Sequence, residues 1–366
     1  MKVRLAKPSL GKREIRAISR VLRSGMLVQG ACVATFEKEL GRVIGVRHVV
    51  AVSSGTAALH VALLGLGIGP GDEVIVPDFT FPASANAVAM AGAVPVLVDV
   101  DPVTFNIDPE RIEAAVTRKT RAIMPVHLFG LAADMSKVMM IARRKKLMVL
   151  EDAACALGAS VRGKPCGTFA EAGCFSFHPR KLVTTGEGGA VVTNDADLAH
   201  KIRLLRSHGM EKFQGRWPDL AEPGLNYRMT EMQAAIGLEQ LKRLPALRKE
   251  RQRIAELYRK HLSHLPLGLP AGDPDERVYQ SYVVSLPVSI DRDKVVDALR
   301  RAGVEATIGT YALHRLKHYR DLKSRFPGAD QVFSTSLSLP VPTGLAATDV
   351  RRIVRVLETC LSKASR

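Results

Sequence analysis

Aromatic residues are scarce in this chain: one Trp, six Tyr and eleven Phe, 5% of 366 residues. They do not interleave with basic side chains, so no platform for stacking nucleobases is present. Cysteines are few as well. Cys32, Cys155, Cys166, Cys174 and Cys360 form no Cys-x-x-Cys pair. An odd, scattered set in a long chain argues against a disulfide framework and for reduced thiols. No His/Cys/Asp cluster has metal-ligand spacing, so no metal is expected. No run approaches the roughly 20 apolar residues of a membrane helix. The first eight residues lack the apolar stretch of a secretory signal. A cytoplasmic protein without a membrane partner is expected. Acidic residues are outnumbered, 36 against 53 basic, for a formal charge of +17. The excess is spread along the chain, with short runs such as residues 143–146. It reads as a solvated basic surface rather than a nucleic-acid module.

What remains is an ordinary globular composition, 46% hydrophobic and 24% charged. The length implies two domains at about 100–200 residues each, or one large and one small. Apolar runs read as strands at 48–52, 73–77, 94–100, 121–126 and 147–150. Helical spacing separates them at 56–66, 83–91, 109–116 and 135–146. Such runs are apolar on both faces, as parallel strands are, and the alternation predicts a doubly wound α/β sheet. Beyond residue 193 the pattern becomes more helical, with a long stretch over 229–262 and a break expected near Pro245. Residues 265–274 are rich in Pro and Gly and read as a linker. The division expected is a large domain, 1–245, with an N-terminal arm, and a smaller α/β domain, 246–366.

Open α/β sheets bind ligands at the carboxyl ends of their strands. Three segments fall there. Ser53-Ser-Gly-Thr-Ala-Ala-Leu59 follows a strand and opens a helix, whose free N–H groups suit an anion. Gly55 would let the backbone approach and Thr56 would add a hydroxyl, although Ser and Thr also simply cap helices. Leu150-Glu-Asp-Ala-Ala-Cys155 puts Asp152 where a pyridinium N–H needs a partner; an N-cap for the next turn is an equally open reading. Cys174-Phe-Ser-Phe-His-Pro-Arg-Lys181 runs into a Gly-rich turn before a returning strand. That turn could confine Lys181, lower its pKa by desolvation and free its amine as a nucleophile. Ser176 could reach a phosphate. Phe79 and Phe81 end a strand, where a ring could stack on a pyridine face or join the core. His127 reads as a core histidine. Together these segments describe a phosphorylated pyridine cofactor.

These segments, in this order, with Lys7-Pro-Ser-Leu10, Ser24-Gly-Met-Leu-Val-Gln-Gly30, Val126-His-Leu-Phe-Gly130, Gly186-Glu-Gly-Gly189 and Gly224-Leu-Asn-Tyr-Arg-Met229, span nearly the whole chain. The ordered set resembles the DegT–DnrJ–StrS family of sugar-nucleotide aminotransferases. The resemblance implies the aspartate-aminotransferase-like fold of type I, dependent on pyridoxal 5'-phosphate (PLP). It implies that Lys181 holds PLP as a Schiff base and that Asp152 pairs with the pyridinium nitrogen. Phe81 matches the stacking aromatic, and Gly55, Thr56 and Ser176 match the phosphate cradle. Asn226 matches a residue reaching the phosphate across a homodimer interface, so active sites would be shared.

L-glutamate would give its amino group, leaving 2-oxoglutarate and the pyridoxamine 5'-phosphate form. A nucleotide-linked keto-sugar would then take the amino group, a ping-pong scheme with Lys181 as the proton-moving base. One departure stands out: many relatives carry Gln, His or Glu three residues after the Asp, where this chain has Cys155. Sugar dehydratases of the same family replace the lysine with histidine; here Lys181 is intact. Residues 24–30, Tyr311 and His314 match substrate-lining positions, with packing roles equally open for the last two. A basic nucleic-acid-binding protein and an idle scaffold are the alternatives from other classes.

Overall fold

The computed structural model describes residues 2–211, 218–320 and 325–364. Its centre is a seven-stranded sheet: β1 (His48–Val52), β2 (Glu73–Pro77), β3 (Val94–Val98), β4 (Thr120–Ile123), β5 (Met148–Asp152), β6 (Ala172–Ser176) and β7 (Gly189–Thr193). The spatial order is β1-β7-β6-β5-β4-β2-β3. From β6 to β3 all neighbours are parallel. β7 runs antiparallel to both β6 and β1. The cause is local: residues 177–188 contain no helix, and a parallel return needs a crossover, usually helical.

Period-two alternation explains why both faces are apolar. Val50, Val52, Val74, Val76, Ala122, Leu150 and Val191 enter one core. Val49, Ala51, Phe175, Ala190 and Val192 enter another, and Ile75, Ile123 and Val149 a third, on the far side. Helices cover both faces. α3 (Gly55–Gly65), α4 (Ala83–Met90) and α6 (Ala196–Arg206) lie over the first core. α2 (Ala31–Ile44), α5 (Met135–Lys145) and α7 (Glu231–Leu241) lie over the others.

α8 (Leu244–Leu262) leads into a second assembly. There β8 (Tyr282–Ser285), β10 (Ser336–Leu339) and β9 (Thr307–Ile308) form an antiparallel sheet. It packs on α8, α9 (Arg292–Arg301) and α11 (Ala347–Ala364) in a separate core. Val3 of the N-terminal arm joins that core. Residues between β9 and β10, including Leu313, Phe326 and Val332 of α10 (Pro327–Thr335), pack instead into the first core of the large sheet.

One local outcome departs from the sequence pattern and two refine it. α1 (Lys12–Ser24) and α2 were not anticipated; α1 buries only Glu14, Ala17 and Val21, a narrow stripe on a highly charged helix. The break expected near Pro245 falls at residues 242–243, between α7 and α8, and Pro245 sits in the first turn of α8, where its missing N–H leaves no bond unmade. The helix expected over 109–116 is one short turn, Pro109–Ile112, tightening into 3-10 form.

Candidate active site

The carboxyl ends of β1, β5 and β6 lie along one edge of the sheet. From β1 the chain passes to Ser54, which caps α3 by accepting the Ala57 N–H at 3.1 Å. At Gly55 an added Cβ would fall 2.7 Å from Ser176 Cβ. Only glycine lets the α3 N-terminus sit this close to the end of β6. Ser176 is half-buried, Gly55 adjoins it, and Thr56 is exposed beside them. A helix N-terminus, two hydroxyls and a bare backbone thus share one corner, which suits a phosphate.

Asp152 ends β5 and is buried. Its Oδ2 accepts the Ser84 hydroxyl at 2.7 Å and its Oδ1 accepts the Ala154 N–H at 3.1 Å. Both oxygens are therefore aimed. Ser84, in the first turn of α4, was not singled out from the sequence; one serine after a Pro has no local signature. Glu151 beside it faces the other way and is fully buried. It accepts from His127 Nε2 at 2.9 Å and from the N–H groups of Gly167, Phe169 and Ala170. His127 Nδ1 accepts the Ala133 N–H, so its Nε2 carries the proton given to Glu151. His127 is a satisfied core histidine.

Lys181 lies in the irregular connection between β6 and β7. Its N–H donates to the His178 carbonyl at 2.8 Å, closing a tight turn. Its amine, half-buried, donates to Cys155 Sγ at 3.0 Å. That thiol stands three residues beyond Asp152, so the lysine side chain points back towards the end of β5. His178 is held below the usual histidine range by burial first, against the pull of Glu187; Lys181 and Arg180 push it the same way as burial. Gln280, a buried residue with no sequence signature, brackets the lysine through the backbone on either side.

The two phenylalanines separate cleanly. Phe79 is fully buried against Phe105 and Phe129. Phe81 is 62% exposed, with Tyr311 tilted towards it at 6.3 Å between ring centroids. His314 is tied to Asp78 at 2.6 Å and to Asp330 at 3.2 Å, so it is a strut here. Ser24 and Met26 line a cleft of about 700 Å³ between α1, α2 and α7, which none of the proposed cofactor residues borders. Asn226 is exposed. Its segment is fastened to the main sheet by the Ser53 N–H donating to the Tyr227 carbonyl and by Tyr227 Oη, 3.0 Å from His60 Nδ1. Among the described residues, no hydrogen bond joins Asn226 to Lys181, Asp152 or Ser176 of the same chain.

These residues fit PLP: a glycine-cleared anion corner, a buried and doubly hydrogen-bonded carboxylate, an exposed ring and a lysine amine in reach of the same strand end. Among the described residues, no group of three or more His, Cys, Asp or Glu could hold a metal ion. The fold and the site define a PLP-dependent enzyme of fold type I. A family model, the DegT/DnrJ/EryC1/StrS aminotransferase family, matches residues 8–358. The chain belongs to that family and is a sugar aminotransferase.

The chain is similar to GDP-perosamine synthase of Caulobacter vibrioides, 43% identical over 340 residues and 91% of each chain. Spr1654 of Streptococcus pneumoniae, solved in its PLP form, superposes with a TM-score of 0.95 at 28% identity, covering 100% of both chains. DesV of S. venezuelae, solved with a ketimine intermediate, does so with a TM-score of 0.89 at 36% identity, covering 96% of this chain and 94% of DesV. Among the described residues, no helix is long and apolar enough to cross a membrane.

Proposed function

We propose that this enzyme moves an amino group from L-glutamate to a keto-sugar carried on a nucleotide. When bound, PLP supplies an electron sink for negative charge at the carbon that bears the amino group. Lys181 would hold the cofactor through its amine, and that amine, when free, would move the proton at that carbon. Asp152 keeps a proton on the ring nitrogen, and Ser84 holds the carboxylate in place. Gly55, Thr56 and Ser176 take the phosphate, with Asn226 supplied by the partner subunit of a homodimer. Phe81 covers a ring face. Residues 1–245 form the cofactor-binding unit and 246–366 the smaller unit, and the enzyme works in the cytoplasm.

The observation that carries this reading is the Lys181 amine against Cys155, three residues from the buried carboxylate of Asp152. The likeness to a GDP-perosamine synthase supports a GDP-linked keto-sugar as the first acceptor to test. In the test, L-glutamate alone is added to PLP-loaded enzyme, and 2-oxoglutarate and the absorbance change are followed. One equivalent of 2-oxoglutarate, then recovery of the original spectrum on adding the keto-sugar nucleotide, supports the reading. Initial-rate lines that intersect rather than run parallel would contradict it. Size exclusion at falling concentration tests the shared site: PLP should leave as the dimer separates.

A further inference from the structure

The connection that carries Lys181 has no ladder of its own. Residues 177–188 belong to neither strand nor helix, yet Leu182 to Thr185 are buried. Buried peptide groups must find partners or cost stability. On the two sides of Lys181 the partner is a single side chain. Gln280 Oε1 accepts the Leu182 N–H at 3.0 Å, and Gln280 Nε2 donates to the Arg180 carbonyl at 2.6 Å. One amide therefore spans the residue between, as a neighbouring strand would, and fixes the direction in which Lys181 leaves the backbone.

Gln280 is itself anchored from outside the main sheet. It is 6% exposed, and its N–H donates to the Val278 carbonyl at 2.7 Å. Arg251 of α8, also buried, donates through Nη1 to the carbonyls of Tyr279 at 3.3 Å and Gln280 at 3.2 Å. Burial brings the Arg251 pKa down to about 10, so it remains cationic near neutrality. Among the described residues it has no carboxylate within salt-bridge distance. Its charge is directed at the two carbonyls, as charge-assisted bonds that hold the 279–280 peptide still. A chain of contacts thus runs from α8 through Gln280 to the backbone of Lys181.

We propose that Gln280 is a positioning residue for the amino-transfer reaction: its amide sets the Lys181 backbone so that the amine reaches the reacting carbon. The inference rests on Lys181 being the cofactor's lysine. Chemistry by a general base tolerates little misplacement; an error near 1 Å costs about 10²-fold in rate.

The experiment compares PLP-loaded wild type, Gln280→Leu and Gln280→Glu. Gln280→Leu should keep the visible band of lysine-bound cofactor but shift the pH midpoint of that band. It should lower kcat by roughly 10- to 100-fold while the KM for L-glutamate stays within about twofold. Gln280→Glu keeps the acceptor for Leu182 but loses the donor to Arg180 while ionised. Protonation restores that donor, so its kcat relative to wild type should rise as pH falls. Both readouts are taken on folded protein, so a merely structural role would leave them unchanged. If Gln280→Leu fails to fold, Gln280→Glu decides alone: acid rescue supports the proposal, and a flat ratio overturns it. A folded Gln280→Leu with wild-type midpoint and kcat also overturns it. A missing band in Gln280-intact enzyme would instead count against Lys181.

Discussion

The amine of Lys181 and the thiol of Cys155 are hydrogen-bonded at 3.0 Å. The lysine amine thus meets a small, soft partner. A thiol accepts weakly, and a hydroxyl can replace it as an acceptor. Cys155→Ser should therefore stay near wild-type kcat, and Cys155→Ala should fall several-fold further. The contact also makes a chemical prediction. Cys166 and Cys174 are buried, and burial pushes both thiols well above the usual range. Iodoacetamide applied to cofactor-free enzyme should label Cys155 before either of them. The labelled protein should then fail to develop the visible band with PLP. Peptide mapping by mass spectrometry, with and without PLP protection, checks both.

Asp152 owes its orientation to Ser84, 68 residues away in sequence. Removing that hydroxyl costs a charged hydrogen bond, about 1.5–3 kcal/mol if wholly lost. Ser84→Ala should bind PLP but turn over more slowly. Asp152→Asn should be worse, losing about 10²-fold or more in kcat because it cannot balance a cationic ring nitrogen. Steady-state kinetics on both variants should preserve this order.

Gly55 has no room for a side chain, since a Cβ would lie 2.7 Å from Ser176 Cβ. Gly55→Ala must push α3 away from β6, an overpacking of about 1–3 kcal/mol. The strain falls on the phosphate corner. The expected outcome is PLP affinity weaker by roughly tenfold or more, with smaller change in kcat at saturating cofactor. A fluorescence titration with PLP measures it.

His60 links acidity to the segment bearing Asn226. Burial holds His60 below the usual histidine range, against a hydrogen bond to the Met90 backbone, and its ring meets Tyr227 Oη at 3.0 Å. The unfolded chain takes up this proton near pH ~6.5, the folded protein only at lower pH. Between those two values the unfolded state binds more protons, so stability falls as pH falls. Above the unfolded value the contribution is complete. Tm should thus decline below about pH 6.5 in wild type and less steeply in His60→Gln.

Much of this was legible because it was local. Strands such as 48–52 and 148–152 show apolar runs, with Gly55, Asp152 and Ser176 at or just past strand ends and Lys181 in the connection that follows Ser176. What was hidden is non-local. Phe79 and Phe81 look alike in sequence, and only tertiary packing sends one into the core and leaves the other exposed. Ser84 and Gln280 matter through partners 68 and 98 residues away, which no periodicity reports. α1 was missed because its buried stripe is three residues wide on a charged helix. The antiparallel course of β7 followed from a helix-free connection, not from the composition of the strand.

Borohydride reduction of the PLP-loaded enzyme, followed by peptide mass spectrometry, is the most direct test of where the cofactor is held. Reduction makes the lysine–cofactor bond permanent. The account predicts the added mass on the peptide containing Lys181 and on that residue alone. The mass on another lysine, or on none while the enzyme remains active, would contradict it.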